Sequence, residues 1–230
     1  MTARLAHRGP DGEGYFSTPE VSLGHRRLAI IDVPGGAQPM TTADGRYTIV
    51  FNGEIYNYRA LRSELEAEGA RFHTKSDTEV LLEACAAWGV ERALASVAGM
   101  FAFALWDARE RELTLARDRL GEKPLVYFWD GRTLGFASEM KALQFLHGAR
   151  LDASAVDAYL ALGYVPAPLA IFRNCRKLEE GHLLRFKTGD APRIQQWWIP
   201  EPAGHRPENW GAGSREALRE YVGRAVEQRL

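Results

Sequence analysis

Asn52 and Gly53 set a side-chain carboxamide and a backbone N–H side by side at the end of an apolar run, Tyr47-Thr48-Ile49-Val50-Phe51. Two such donors are what an oxyanion hole needs, because they stabilise charge that develops only in the transition state. Glu54 follows directly and could help bind an amine. Arg27, ahead of Leu28-Ala29-Ile30-Ile31, could grip a carboxylate in a two-pronged hydrogen bond. Asp77, in the first turn of a helical pattern, could receive an ammonium group. Together these groups would recognise an α-amino acid and polarise its side-chain carbonyl. Each also has a plainer reading: Asn-Gly as a tight turn, Arg27 as a solvated arginine, Asp77 as a carboxylate favoured by the helix dipole.

A hydrolase of this design needs a nucleophile, and here the chain is thin. Cys85 falls mid-helix on an apolar face and reads as a buried small hydrophobe. Cys175 lies between Asn174 and Arg176 with no general base beside it. The six histidines are scattered without metal-ligand spacing, so no metal site is expected. The glycines of His7-Arg8-Gly9-Pro10-Asp11-Gly12-Glu13-Gly14 have the wrong spacing for a dinucleotide fingerprint and follow no strand.

The elements that must carry these residues can be read from hydrophobic period. Val21 to Leu23 and Leu28 to Val33 read as short strands, and Asp44-Gly45 as a hairpin turn into the strand that stops at Asn52-Gly53. Tyr58 to Glu68 takes a helical period and Gly69 a C-terminal capping position. Ser76-Asp77-Thr78-Glu79 has the capping-box pattern of a second helix start. From Met100 to Trp106 the chain is apolar on both faces, so that strand must be covered on both sides. Strands follow over Glu112 to Arg117, Leu125 to Trp129 and Thr133 to Ala137, then helices from Ser138 and over Ser154 to Leu162, and a hairpin over Leu183 to Trp198. Clusters of strands and helices without βαβ alternation predict an α+β fold in which two sheets stack with helices outside.

Bulk properties exclude several classes. With 230 residues, 46% hydrophobic and 26% charged, the chain has the composition of a globular protein with a real core. A net charge of −1 leaves no electrostatic footprint for nucleic acid or anionic membrane. No apolar run is long enough to span a bilayer, and two cysteines fit a reducing, cytoplasmic location.

Eight blocks then occur in order. They are His7-Arg8-Gly9-Pro10-Asp11-Gly12, Arg27-Leu28-Ala29-Ile30-Ile31-Asp32, Gly36-Ala37-Gln38-Pro39-Met40 and Asn52-Gly53-Glu54-Ile55-Tyr56-Asn57. Ser76-Asp77-Thr78-Glu79, Gly99 to Ala104, Arg117-Asp118-Arg119-Leu120-Gly121 and Ala137-Ser138-Glu139-Met140-Lys141 complete them. This pattern resembles the N-terminal class II glutamine amidotransferase domain of glutamine-hydrolysing asparagine synthetase. The resemblance implies an N-terminal-nucleophile fold, a four-layer αββα sandwich of two antiparallel sheets. It implies that Arg27, with Leu28, Ala29, Ile30 and Ile31, holds the glutamine α-carboxylate. Glu54 and Asp77 would receive the α-ammonium, and Asn52 and Gly53 would form the oxyanion hole.

The domain is expected over residues 1–199, followed by a linker over 200–213 and, over 214–230, the first helix of a synthetase domain. The family's nucleophilic cysteine, normally exposed at the N-terminus, has no counterpart, since residue 2 is Thr. The chain therefore reads as a fragment truncated at both ends, carrying little glutaminase activity alone. No cofactor is expected within it; ATP and Mg2+ belong to the synthetase domain. Expected partners are L-glutamine and the chain's own synthetase domain, with a homodimer left open and neither nucleic acid nor membrane involved. Two alternatives remain: a nucleophile-less scaffold, as in β-lactam synthetase-like proteins, and an amidotransferase with a different ammonia acceptor.

Overall fold

The computed structural model describes residues 1–200 and 212–229. In chain order it has β1 (Gly12–Ser17), β2 (Ser22–Arg27), β3 (Met40–Thr41), β4 (Tyr47–Ile55), α1 (Tyr58–Ala67), α2 (Asp77–Trp88) and α3 (Val90–Ser96). There follow β5 (Gly99–Asp107), β6 (Glu112–Arg117), β7 (Val126–Trp129), β8 (Leu134–Ala137), α4 (Gln144–His147) and α5 (Ala153–Leu162). The remainder is β9 (Cys175–Lys177), β10 (His182–Lys187), β11 (Arg193–Gln196) and α6 (Ala212–Glu227), with 3-10 turns at Thr2–Arg8 and Met140–Leu143. The chain divides into two compact units, Met1–Trp198 and Ile199–Leu230. Most of the linker expected over 200–213 lies outside the described residues.

The first unit is layered around a six-stranded antiparallel sheet in the order β11-β10-β6-β5-β4-β3. One face, through Ile49, Phe51, Phe101 and Phe103, packs on α1 to α3 through Leu61, Leu65, Leu81 and Leu94. The opposite face, through Val50, Ala102, Ala104 and Leu115, meets Leu23 of β2 and Tyr127 of β7. Behind β7, Val126 and Phe128 pack on Ala142 and Leu143 and on Leu5 of the N-terminal turn. The doubly apolar pattern of β5 is thus explained: its two faces serve two separate cores. This is an α+β four-layer sandwich. Its second sheet layer is in two pieces, β1-β2 and β8-β7-β9. An apolar cavity of about 330 Å³ lies between Gly24 of β2 and Gly135 of β8, over Phe51 and Ala102.

Four local expectations change. The strand expected from Leu28 to Val33 is a loop, and strand β2 instead runs on through Gly24 to Arg27. Leu28, Ile30 and Val33 are exposed, so apolar composition there does not report burial. β4 does not stop at Asn52-Gly53; it continues to Ile55, paired with β5 as far as Gly99. The capping box at α2 forms only by half: Ser76 Oγ accepts the Thr78 N–H at 3.2 Å, but Glu79 turns away to the N–H groups of His73 and Thr74. The segment before β2, read as loop, contains β1, whose alternating half-buried and exposed residues pair with β2 from Gly12↔Arg27 to Ser17↔Ser22.

Candidate functional site

Gly53 is glycine for reasons of space. A Cβ there would lie 2.2 Å from the Met100 carbonyl oxygen and 2.7 Å from the Phe101 Cα. Gly53 lies opposite Phe101 in the β4–β5 ladder. Phe101 directs both backbone groups the other way: its N–H donates to Asp118 Oδ2 at 3.2 Å, and its carbonyl accepts the Asp118 N–H at 2.8 Å. By alternation, Phe51, Gly53 and Ile55 turn their N–H and C=O groups outward from β5, beyond the end of the short β3.

Side chains from other elements occupy the first and last of these outward positions. The Phe51 N–H donates to Gln38 Oε1 at 2.6 Å, and the Phe51 carbonyl accepts from His25 Nε2 at 3.0 Å. Gln38 Nε2 in turn donates to Thr78 Oγ1 at 3.3 Å. The Ile55 N–H donates to Asp77 Oδ2 at 3.0 Å. Gly53, between them, has no such partner among the described residues. Asn52 Nδ2 is buried and likewise unpartnered. The two donors expected at this point therefore stand free, side by side, at the wall of a pocket of about 250 Å³.

The same pocket is lined by Arg27, Leu28, Ile30, Ile31, Glu54 and Asp77. Ala29 does not line it; its N–H donates to Asp11 Oδ2 at 2.9 Å. Asp77 is 5% exposed. Burial pushes its carboxyl above the ordinary carboxylate value; the Ile55 and Thr78 N–H groups oppose this, and nearby Glu54 adds to it. A buried carboxyl beside a second acidic side chain makes a place for a cation. Arg27 is partly engaged already. Its Nη1 donates to the Val33 carbonyl at 2.6 Å, and its Nη2 to the carbonyls of Ile31 at 3.2 Å and Asp32 at 2.7 Å. The guanidinium thus moulds the Ile31–Val33 loop while lining the pocket, and its five-donor fork leaves N–H groups for an anion.

Several contributors were not singled out as site residues from the sequence. Gln38 and His25 clamp the Phe51 peptide. Asp32 accepts from the Gly35 N–H at 3.1 Å and the Lys75 N–H at 2.7 Å, tying the Arg27 loop to the start of α2. Asp118, 1% exposed, accepts from the backbone N–H groups of Phe101, Leu120, Glu122 and Lys123. Gln38, Asp32 and Asp118 all sit in ordered blocks, and His25 lies just before one.

Neither thiol reaches the pocket. Burial pushes Cys85 up to about 12 and Cys175 up to about 11. No group of His, Cys, Asp and Glu among the described residues could hold a metal ion. Among the same residues no helix is long and apolar enough to cross a membrane.

The chain is similar to several known proteins. Asparagine synthetase (glutamine-hydrolyzing) 1 of Bacillus subtilis is 44% identical over 182 residues, covering 79% of this chain and 29% of that protein. Asparagine synthetase (glutamine-hydrolyzing) 3 of the same organism is 40% identical over 211 residues, covering 89% and 34%. A putative asparagine synthetase of Mycobacterium tuberculosis strain H37Rv is 40% identical over 212 residues, covering 85% and 32%. The chain spans about a third of the length of these relatives. Among solved structures, glutamine phosphoribosylpyrophosphate amidotransferase from B. subtilis superposes with a TM-score of 0.55 at 24% identity, over 78% of this chain and 35% of that one. That likeness is one of fold. The glutamine amidotransferase domain family matches residues 1–198, and the chain belongs to that family.

Proposed function

We propose that the pocket binds L-glutamine as the glutamine-handling part of an asparagine synthetase that supplies ammonia to an activated aspartate. The observation that carries this reading is the unpartnered pair Asn52 Nδ2 and Gly53 N–H facing a pocket that also holds Arg27, Glu54 and Asp77. Arg27 takes the α-carboxylate, Glu54 and Asp77 take the α-ammonium, and the free donors take the side-chain carbonyl oxygen. As that carbon becomes tetrahedral, charge grows on the oxygen and the two N–H groups stabilise it without reorganising. The retained cluster speaks against a scaffold that has lost its ligand. Neither cysteine can act as nucleophile, being buried with a raised pKa, so we expect this chain to bind glutamine without appreciable turnover.

In this reading ATP and Mg2+ act in the part of the relatives that the chain does not match. The synthetase portion is the partner, with a homodimer left open, and the cytoplasm is the compartment. The amidotransferase unit is taken to occupy residues 1–199, and the helix Ala212–Glu227 to open the synthetase portion.

Glu54 gives a clean test because its side chain makes no hydrogen bond or ion pair among the described residues. Calorimetric titration with L-glutamine should show binding, and Glu54→Gln should weaken it about three- to tenfold. Glutaramic acid, which lacks the α-amine, should bind wild type and Glu54→Gln equally. Absence of glutamine binding to the wild-type chain, or equal effects on both ligands, would refute the assignment. A glutaminase assay on the same sample should stay at background.

A further inference from the structure

Three buried polar atoms on residues that line this pocket lack partners, Arg26 Nε, Asn52 Nδ2 and His25 Nδ1, and the last two are of opposite kind. Asn52 Nδ2 is a donor without an acceptor. His25 Nδ1 is the other. Its sense follows from the opposite ring nitrogen: His25 Nε2 lies 3.0 Å from the Phe51 carbonyl oxygen, which can only accept. Nε2 therefore carries the hydrogen, and Nδ1 of the neutral ring presents a lone pair. Burial, followed by the positive charge of Arg27, lowers the His25 pKa to about 4, so the ring stays neutral at physiological pH. The ring is held by the carbonyl of the peptide that leads directly into Asn52, and both residues line the same pocket.

A primary carboxamide is the complement of such a pair, since its oxygen accepts and its nitrogen donates. A carboxylate is not: one of its oxygens would face a lone pair. We propose that His25 Nδ1 accepts a hydrogen bond from the side-chain NH₂ of the ligand, making His25 the residue that selects a carboxamide over a carboxylate. This rests on the reading of the pocket as a glutamine site. Its consequence for turnover is that the domain discriminates its substrate from the glutamate it would form. A site built around a buried hydrogen-bonding group rejects an analogue that leaves the group unpaired, because the desolvation cost of that group is then not recovered.

Two substitutions separate this role from the clamp on Phe51. In His25→Gln the side-chain amide can still donate to the Phe51 carbonyl but offers no acceptor at the Nδ1 position. In His25→Asn the side-chain oxygen replaces Nδ1 but no longer reaches the carbonyl. Calorimetric titration of the full chain at pH 7.5 with L-glutamine and with L-glutamate gives the ratio of their affinities. The wild type should prefer glutamine. His25→Gln should weaken glutamine about tenfold without weakening glutamate, and His25→Asn should keep the preference. Unfolding midpoints of both variants show that the folded chain is being compared. Equal weakening of both ligands in His25→Gln, or an unchanged ratio, overturns the inference and leaves the glutamine site standing. Failure of the wild type to bind glutamine overturns the site reading itself.

Discussion

At the scale of single residues, Gly53 carries more than its place in a motif indicates. Asn-Gly in a sequence signals a turn, because glycine tolerates positive φ. Here the pair lies inside a nine-residue strand, and glycine is required by the approach of β5. The two atoms nearest to an added Cβ are backbone, which cannot swing aside as a side chain could. Gly53→Ala should therefore destabilise the fold by about 3 kcal/mol, the upper range for overpacking, and abolish glutamine binding by displacing Asn52. Denaturant unfolding and ligand titration measure both; a loss below about 1 kcal/mol with binding intact would contradict the close approach. That Asn52 and Gly53 offer two adjacent donors was legible from their residue types. Their setting was not, since a strand's partner across a sheet leaves no local trace. His25 was invisible for a similar reason: only the position of the Phe51 carbonyl fixes its tautomer.

At the scale of elements, the ordered blocks prove to be tied to one another through side chains and backbone groups. His7 and Arg8 pair with Glu139, and Gln38 of one block reaches Thr78 of another. Asn57 bonds both the Ser96 carbonyl and the Ala98 N–H at the entry to β5. Helix α1 was readable from period because it buries one face through Leu61 and Leu65, whereas α2, buried through six consecutive residues from Asp77 to Leu82, was readable chiefly from its start at Ser76. The loop over Leu28 to Val33 was misread as a strand because its hydrophobic residues are exposed to shape a pocket wall around Arg27. Asp118 does the equivalent for the turn after β6, collecting four backbone N–H groups from residues 101 to 123. Asp118→Asn replaces one acceptor oxygen with a donor that faces N–H groups. Hydrogen bonds to a charged group contribute about 1.5–3 kcal/mol each, so the loss should be about 3 kcal/mol, and glutamine affinity should fall as Lys123 at the pocket is released. Stability within about 1 kcal/mol of wild type would show that the turn holds without the carboxylate.

Across the whole molecule, the layer order was foreshadowed by β5, whose two apolar faces demanded cover on both sides. The division of the second sheet was not, because nothing in β2 or β8 marks a strand that goes without a neighbour. The layering also buries His25 between the sheets, and this couples the site to acid stability. An unfolded histidine takes up a proton near pH 6.5, whereas folded His25 remains neutral down to about 4. Between those values the unfolded chain binds the extra proton, so stability rises with pH across the window and is lost on acidification. A shift of this size corresponds to about 3 kcal/mol over the full window.

Two carboxylates titrate alongside it. Glu139, lowered to about 2 by its hydrogen bonds from Lys141, His7 and Arg8, contributes stability above pH 4.5 that is lost only as pH falls toward 2. Asp77 acts with the opposite sign: its raised folded pKa means that protonation relieves a cost, so it favours the folded state as pH falls through that value. The difference between wild type and His25→Gln cancels both. Unfolding free energies measured at pH 7 and pH 4.5 should show the wild type losing about 2 kcal/mol more than His25→Gln on acidification. Parallel losses would mean that the imidazole is not held neutral, and the lone pair assigned to Nδ1 would then be occupied by a proton.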